Sequence, residues 1–323
     1  MTDAQLRQRK VGWIGAGRMG MAMATRLARA GCDLMVYNRT RAKAEPLAQY
    51  GAKIASKVTE LAGCDVVFCM VSTYADVKEI VAGQAGLLSQ AQPAAKGTKA
   101  GKRRAPRILI ECSSISLEGS AELRDILAAH GTALLAAPVS GNAKVIKAGK
   151  LSFVCSGPRA VFDEVSPLLQ LIAPAASYVG EGELARIVKI CHNVFLGVVI
   201  HSLCEITVLA LKAGVPRHAF LEFINQSVMG SVFSRYKTPA LVNLDFKVTF
   251  TPALLRKDLD LGLDAGRRFE VPMPLASATR DLIQGMMGKG MSEQDFATLL
   301  LQQAQASGIT LAPENVPVSD GLA

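Results

Sequence analysis

The chain has 323 residues, of which 50% are hydrophobic and 20% charged. This balance is that of an ordinary globular protein with one large or two medium domains and ample core-forming residues, not of a disordered chain. The formal net charge is +9, but six Lys or Arg residues and no acid lie in the segment 91–107. The basicity is therefore local. Because this segment lacks aromatic residues for base stacking, we expect a solvated loop and no nucleic-acid partner, with an anion or nucleic-acid patch as the less favoured alternative.

The polar start "MTDAQLRQRK" shows no secretory signal. Seven Cys residues show no paired metal-ligand spacing, and most lie in apolar runs, so we expect buried, reduced thiols in a cytoplasmic protein. The apolar stretch 194–211 is long enough to cross a membrane. It contains Glu205, whose charge is costly in hydrocarbon. We therefore predict a buried core helix and no membrane partner.

Strand-like and helix-like stretches alternate through the first half of the chain. "KVGWIGAG" predicts a strand that enters a Gly-rich turn, "RMGMAMATRLARAG" a helix, and "CDLMVYNR" a second strand. Further strands are predicted at "DVVFCMVS", "RILIECSS", "TALLAAPVSG" and "LSFVCSG", with helices around 74–83, 117–130 and 158–171. This alternation is typical of an α/β fold with a doubly wound, mainly parallel sheet. Such sheets bind ligands beyond the carboxyl ends of their strands.

Strand signals nearly vanish after "YVGEG" (178–182), and helical patterns continue to about residue 307. We predict three parts. Residues 1–181 form a nucleotide-binding domain and residues 182–308 an all-α domain, which begins with the long apolar helix. The Pro-containing, aperiodic residues 309–323 form a disordered tail.

The motif "GAGRMG" places Gly15, Gly17 and Gly20 in the G-x-G-x-x-G spacing, with Ala16, Arg18 and Met19 between them. The first glycine permits a tight turn, the second lets the backbone approach a pyrophosphate, and the third allows close packing of helix and strand. The motif follows a predicted strand and opens a helix. It therefore predicts a Rossmann-type dinucleotide site, with a purely structural Gly-rich turn as the alternative.

The end of the second strand, "VYNRT", carries Asn38, Arg39 and Thr40 where NAD enzymes usually have an acid for the ribose 2′-hydroxyl. No carboxylate repels a 2′-phosphate here, and Arg39 can pair with one. We predict a preference for NADP(H). The alternative is that Arg39 stacks on the adenine and NAD is accepted as well.

Lys189 and Asn193 are four residues apart, so they share one face of the predicted long helix. A lysine on an apolar helix can be desolvated, which lowers its pKa and suits general acid/base chemistry. Asn193 offers a donor and an acceptor to the same ligand. Spacing alone leaves open a snorkelling lysine and a solvated asparagine.

Five ordered motifs resemble those of the β-hydroxyacid dehydrogenase family, over roughly residues 10 to 305 by motif placement. The family includes 3-hydroxyisobutyrate, tartronate-semialdehyde and succinic-semialdehyde/glyoxylate reductases, with 6-phosphogluconate dehydrogenase and imine reductases as distant relatives. The motifs are "GWIGAGRMGMAMATRLARAG", "ECSSIS" (111–116), "APVSGN" (137–142), "KICHN" (189–193) and "LLRKDLDLGLDAG" (254–266).

The resemblance implies a role for each matching position. Lys189 would be the acid/base, Asn193 would orient the substrate, and Ser140 and Gly141 would hold its carboxylate, with Asn142 and Ser114 beside it. The residues implied to line the cofactor are Ser114, Lys257, Asp258 and the turn Met70, Val71 and Ser72. The resemblance also implies a small carboxylate-bearing substrate and a homodimer or homotetramer, and it implies no metal.

The chain departs from the family pattern at several positions. Asn142 stands where a second glycine is usual, Glu111 and Ala136 stand where Asp is usual, and His192 where a relative often has Asn. These departures leave the reaction class intact but put the substrate in doubt.

Three alternatives stay open at this point. An imine reductase shares the fold and NADPH, but usually lacks a lysine at the position of Lys189. A cofactor-binding module without catalysis is a second alternative, and the presence of both Lys189 and Asn193 counts against it. A metal held by His201, Cys204 and Glu205 would need more ligands than this apolar helix supplies.

Overall fold

The computed structural model describes residues 9–91 and 105–322. Most of the basic segment 91–107 therefore lies outside the described residues. The chain divides into two compact units, Met1–Lys189 and Ile190–Ala323. The predicted domain boundary at 181/182 lies a few residues before this division, which falls within a single long helix.

The first unit contains a six-stranded parallel sheet in the order β3-β2-β1-β4-β5-β6. The strands are β1 (Lys10–Ile14), β2 (Asp33–Tyr37), β3 (Lys53–Ile54), β4 (Val66–Cys69), β5 (Ile108–Glu111) and β6 (Ala133–Ala136). The order runs in one direction from β1 to β3 and in the other from β4 to β6. The fold is therefore the doubly wound α/β type that the alternation predicts, with the change of direction between β1 and β4.

The helices of this unit are α1 (Arg18–Arg29), α2 (Tyr74–Ala82), α3 (Leu117–Ala129), α4 (Ala143–Lys147) and α5 (Arg159–Ile172). They agree with the predicted helices to within two residues, apart from the short α4. Every residue of β4 and β5 is buried, as expected for central strands with both faces covered. Two separate apolar clusters pack on these strands. One contains Trp13 and Phe68, whose stacked rings have centroids 5.2 Å apart, and the other contains Val67 and Leu109.

A second sheet of three strands was not expected. It contains β7 (Val139–Ser140), β8 (Ser152–Cys155) and β9 (Ala175–Tyr178), with β7 antiparallel and β9 parallel to β8. The predicted single strand "TALLAAPVSG" is therefore divided between two sheets. Pro138 stands at the division, where it has no N–H to donate to a strand ladder. The short strands β3 and β9 were also missed, because neither has a clear alternating pattern.

The second unit is helical in its described residues. After the long helix α6 (Leu184–Lys212), which begins in the first unit, come α7 (Arg217–Gln226), α8 (Val232–Asn243), α9 (Pro252–Arg268), α10 (Pro274–Gly288) and α11 (Leu299–Ala306). A buried ion pair between Lys237 of α8 and Asp295, 2.6 Å long, anchors the turn that precedes α11. The predicted all-α character of this part of the chain agrees with these elements.

By length and composition alone, α6 could cross a membrane, since its 29 residues include a strongly apolar window. Core helices of globular proteins pass the same test, so the observation is weak evidence. Within α6, His201 Nε2 lies 3.3 Å from Glu205 Oε1, one turn along the helix. Among the described residues no group of three or more His, Cys, Asp or Glu side chains could hold a metal ion.

The C-terminal segment 309–322 lacks regular secondary structure but is held by specific hydrogen bonds. Glu314 accepts bonds from the backbone N–H groups of Arg217 and His218 at the start of α7. Asn243, at the end of α8, bonds Val316 through both ends of its side-chain amide. The aperiodic sequence predicts disorder for this segment, whereas the structure shows these specific contacts. Composition could not show that Glu314 meets the free N–H groups of a helix.

Candidate active site

The Gly-rich turn lies at the carboxyl end of β1, next to the end of β4. Gly15 has φ +96°, and a Cβ there would lie 2.1 Å from the carbonyl oxygen of Met70. A Cβ on Gly20 would lie 1.9 Å from the carbonyl oxygen of Gly15. Both positions therefore require glycine, one for the turn and one for close packing of α1 against β1. The turn residues Met70, Val71 and Ser72 follow β4 directly.

The N-terminus of α1 has the features of an anion cradle. Gly17 is the N-cap residue, and no side chain caps the helix there. A Cβ on Gly17 would meet nothing within 4 Å, so open space adjoins the helix N-terminus. Gly17 and Arg18 are exposed, whereas Ala16 is buried and Met19 half-buried. The N–H groups of a helix's first turn and the helix dipole favour a phosphate at such a position, so the residues present fit a dinucleotide pyrophosphate.

Asn38 ties the end of β2 to the Gly-rich turn. Its Oδ1 accepts a hydrogen bond from the Ala16 N–H at 2.8 Å, and its Nδ2 donates to the Thr40 carbonyl at 2.8 Å. Thr40 is exposed. The Arg39 side chain is 86% exposed, and its Nη1 lies 3.7 Å from Asp76 Oδ1. Arg39 is therefore the residue of this loop with a charge available to an incoming anion, while Asn38 holds the backbone.

The loop after β5 meets the turn after β4. Ser113 Oγ accepts a hydrogen bond from the Val71 N–H at 2.9 Å, and its own N–H donates to Glu111 Oε1 at 2.8 Å. The next residue, Ser114, is half-buried. The structure thus brings two of the predicted cofactor-lining segments into contact at the carboxyl edge of the sheet.

Ser140, Gly141 and Asn142 connect β7 to α4. Ser140 is half-buried, and Gly141 is exposed with φ +135°. Asn142 caps α4, because its Oδ1 accepts from the N–H groups of Lys144 and Val145 at 2.9 and 3.1 Å. The side chain that replaces the family's second glycine is therefore a helix cap. Its role could be found in sequence only as an Asn before a short helix.

Lys189 and Asn193 lie one turn apart on α6, as the spacing predicts. Lys189 is half-buried, and Asn193 is 4% exposed. Asn193 Nδ2 donates to Asp258 Oδ2 at 2.5 Å, and Asn193 Oδ1 lies 2.9 Å from His192 Nδ1. Lys257 Nζ lies 3.4 Å from Asp258 Oδ1. The motifs "KICHN" and "RKDLD" are therefore joined in space through Asn193 and Asp258.

The sequence predicts no role for two residues in or just before the motif "KICHN", namely His192 and Arg186. His192 contacts the Asn193 amide, and Arg186 pairs with Glu111 in the interior of the first unit. The sequence signal for Arg186 was present, since an arginine stands on an apolar helix three residues before Lys189. Its partner lies 75 residues earlier in the chain, which spacing cannot reveal.

Two family models match nearly all of the chain. The model described as the NAD binding domain of 6-phosphogluconate dehydrogenase matches residues 10–180. The model described as NAD-binding of NADP-dependent 3-hydroxyisobutyrate dehydrogenase matches residues 183–302.

Named relatives agree with these matches. The 2-(hydroxymethyl)glutarate dehydrogenase of Eubacterium barkeri is 28% identical over 305 residues, which cover 94% of this chain and 97% of that protein. The chloroplastic glyoxylate/succinic semialdehyde reductase 2 of Arabidopsis thaliana is 27% identical over 291 residues, which cover 90% of this chain and 78% of that protein.

Solved structures similar to this chain include both enzyme classes that the sequence left open. The 3-hydroxyisobutyrate dehydrogenase from Salmonella typhimurium has a TM-score of 0.79 at 25% identity, over 91% of this chain and 99% of that chain. An imine reductase from Myxococcus stipitatus has a TM-score of 0.57 at 21% identity, over 90% of this chain and 98% of that chain, and it shares the fold alone.

The family models, the named relatives and the site motifs agree on cofactor and reaction class. The predicted NAD(P)-binding fold is confirmed, and the dehydrogenase interpretation is better supported than the imine reductase one. The chain belongs to the β-hydroxyacid dehydrogenase family, as an NAD(P)-dependent 3-hydroxyacid dehydrogenase.

Proposed function

We propose that this protein uses NADP(H) to interconvert a small β-hydroxy acid and its semialdehyde or keto acid, with Lys189 as the general acid/base. The observation that carries the proposal is the position of Lys189. By the resemblance of "KICHN" to the family's motif, Lys189 corresponds to the catalytic lysine. It is half-buried on α6, one turn before Asn193, whose amide donates to Asp258.

The chain supplies each group that the reaction needs besides the hydride, which the bound nicotinamide supplies or accepts. In reduction, Lys189 Nζ gives a proton to the carbonyl oxygen, and in oxidation it takes the hydroxyl proton. Asn193 orients the substrate, because its amide is fixed at one end by Asp258. A fixed donor and acceptor reduces the entropy cost of reaching the reactive geometry.

Ser140, Gly141, Asn142 and Ser114 form the proposed carboxylate site. The Ser140 hydroxyl and the Gly141 N–H are donors of the kind that bind a carboxylate. Asn142 holds this loop by capping α4. The substrate class rests on this anchor and on the relatives, whose names specify hydroxy acids and semialdehydes that carry a carboxylate.

For the cofactor, the proposal assigns the pyrophosphate to the loop from Gly15 to Gly20 and the 2′-phosphate to Arg39, with Asn38 and Thr40 shaping the loop. Arg39 would exchange its contact with Asp76 for the phosphate. The proposed residues near the nicotinamide are Met70, Val71, Ser72, Ser114, Lys257 and Asp258. NADP is the preferred cofactor, and NAD stays an alternative.

We also propose a role for each domain, an oligomeric state and a cellular location. Residues 1–181 form the cofactor-binding domain, and residues 182–308 form a substrate-binding domain that mediates assembly into a homodimer or homotetramer. We propose a cytoplasmic location, which the free and mostly buried cysteines support.

The test is replacement of Lys189 by alanine. Lys189→Ala should lower kcat about 10²- to 10⁴-fold, the usual contribution of a positioned acid/base. The Kd for NADPH should stay within about two-fold of wild type, because the substitution leaves the cofactor site intact. Lys212→Ala, an exposed lysine at the other end of α6, is the matched control and should keep wild-type kcat.

The assay follows reduced-nicotinamide absorbance with NADPH or NADH, against a panel of small semialdehydes, glyoxylate and a cyclic imine. Turnover of an acid-bearing aldehyde that depends on Lys189 supports the proposal. Full activity of Lys189→Ala, or turnover of the imine alone, would assign the protein to a different chemistry.

A further inference from the structure

A buried arginine lies three residues before the proposed acid/base. The side chain of Arg186 is 1% exposed, and that of its partner Glu111 is fully buried, with Arg186 Nη2 2.6 Å from Glu111 Oε2. Arg186 also donates to the Ser113 carbonyl at 2.8 Å and to Ser120 Oγ at 3.1 Å. All of these residues belong to the first unit.

The second oxygen of Glu111 continues the network. Glu111 Oε1 accepts from the Ser113 N–H at 2.8 Å, and Ser113 Oγ accepts from the Val71 N–H at 2.9 Å. One buried cation is therefore connected by hydrogen bonds to the end of β5, the start of the 111–116 loop and the turn after β4. Both loop segments belong to the proposed cofactor site.

The same cation fixes the start of α6. Arg186 and Lys189 are three residues apart, so they lie about 60° apart around the helix and about 4.5 Å apart along it. Because Arg186 donates hydrogen bonds to three residues in different directions from one planar group, it restricts both the rotation and the axial position of the first turn of α6. The direction of Lys189 follows from that turn.

We propose that Arg186, with Glu111, is a positioning residue that holds the helix of Lys189 in register with the cofactor-lining loops. This inference rests on the proposed function of Lys189. Stability alone is a poor reason for such a pair, since well-packed apolar residues often replace a buried ion pair without loss. Catalysis would require a fixed rotation and axial position of the first turn of α6. The directional hydrogen bonds of the ion pair can fix both, whereas apolar packing cannot.

The experiment compares two double variants that each replace a buried ion pair by apolar side chains. Arg186→Met with Glu111→Leu removes the proposed positioning pair. Lys237→Met with Asp295→Leu removes a pair of equal burial, 2% and 0% exposed, in the helical unit, and serves as the matched control. Both members of each pair are removed together so that no unpaired charge stays buried. Arg186→Lys, which keeps the charge but not the planar fork, is the third variant.

Four quantities are measured on each folded variant: Tm, the Kd for NADPH by fluorescence, kcat, and the primary isotope effect with NADPH deuterated at the transferred hydride. We expect the Arg186/Glu111 variant to lose about 10²-fold in kcat, a loss typical of about 1 Å of misplacement, with a larger isotope effect and a raised Kd for NADPH. The control variant should keep wild-type kcat at whatever Tm it has, and Arg186→Lys should recover part of kcat.

Equal kcat and equal NADPH affinity in wild type and the Arg186/Glu111 variant would overturn the proposal, as would an equal loss in the control variant. Failure of the proposed function is distinguished by wild type itself, which would then turn over no acid-bearing substrate. In that case the Kd for NADPH tests the positioning role of Arg186. A rise in Kd for the Arg186/Glu111 variant, absent in the control, supports the inference, and an unchanged Kd overturns it.

Discussion

Gly17 differs from the other two glycines of the motif, because the fold does not require a glycine at this position. A side chain at Gly15 or Gly20 would collide with backbone, whereas a Cβ at Gly17 would enter open space. A methyl group there should therefore leave the fold intact but stand at the proposed position of the pyrophosphate, by the helix N-terminus.

We expect Gly17→Ala to raise the Kd for NADPH at least about 10-fold, since one blocked charge-assisted contact is worth about 1.5–3 kcal/mol. Its Tm should stay close to that of wild type. Gly63→Ala, at another position where a Cβ meets nothing within 4 Å, should change neither quantity. Cofactor titration and thermal unfolding check both, and unchanged NADPH affinity in Gly17→Ala would remove the pyrophosphate from this turn.

The proposed preference for NADP over NAD depends on Arg39. Its guanidinium is exposed and contacts only the partly exposed Asp76 among its described ion-pair partners. Loss of a charge-assisted bond to a 2′-phosphate costs about 1.5–3 kcal/mol. Arg39→Ala should therefore raise the KM for NADPH about 10- to 100-fold, and the KM for NADH should change little.

The control for Arg39 is its neighbour Arg41, which bonds Ile54 and Ser56 of the same unit. Arg41→Ala should leave the ratio of the two KM values near that of wild type. If Arg39→Ala keeps the wild-type ratio, cofactor preference is set elsewhere and Arg39 has no contact with the phosphate.

At the scale of elements, the Lys237–Asp295 pair connects α8 to the turn before α11. Burial alone would raise the pKa of the Asp295 carboxyl, but Lys237 and the backbone N–H groups of Thr249 and Ala297 together hold that pKa below its ordinary value. Lys237 also bonds Thr249 and lies 4.2 Å from the centre of the Phe296 ring. The pair therefore joins three segments of the helical unit.

A carboxyl with a lower pKa in the folded than in the unfolded chain stabilises the fold fully above its unfolded pKa, about 3.9 for Asp. That contribution is lost as the pH falls through the folded value. Urea unfolding at pH 7 and at about pH 3 should therefore show a larger loss of stability for wild type than for the double variant Lys237→Met/Asp295→Leu. An equal loss in both proteins would contradict the assignment.

The single variant Lys237→Met leaves Asp295 buried without its cation. It should destabilise the helical unit by about 3–5 kcal/mol at pH 7, the usual cost of breaking a buried pair. The double variant should recover most of this loss. Urea unfolding measures both, and a single variant as stable as wild type would show that the N–H groups alone satisfy Asp295.

At the scale of the molecule, the helical unit exposes large apolar side chains. Phe195 and Leu209 are each 68% exposed, and their spacing of two heptads places them on one face of α6. An exposed apolar face of this kind is typical of an interface between chains.

We expect equilibrium sedimentation to give the mass of a dimer or a tetramer. The double variant Phe195→Glu/Leu209→Glu should shift the protein toward monomer, because it places charges in the apolar face. Glu222→Lys on α7, an exposed position, is the control for a charge change. A monomeric wild type would contradict the proposed assembly.

The sequence by itself determined the first unit's fold and most of its cofactor motif. Strand and helix periodicity are local, and a Gly-rich turn acts over six residues, so both can be recognised without distant contacts. The positions of α1, α2, α3 and α5 follow from these patterns to within two residues, and the existence of α6 follows from its apolar stretch. The family resemblance supplied the proposed roles of Lys189, Asn193 and Ser140, which spacing alone left undecided.

Only the tertiary structure decided which distant residues meet. The division of "TALLAAPVSG" between two sheets depends on the strands that pair with each half. The Glu314 contact with α7, the Asn193–Asp258 bond and the Arg186–Glu111 pair join residues 65 to 97 positions apart. Such contacts depend on how the chain packs, because the hydrogen-bonding capacity of a side chain is local but the identity of its partner is not.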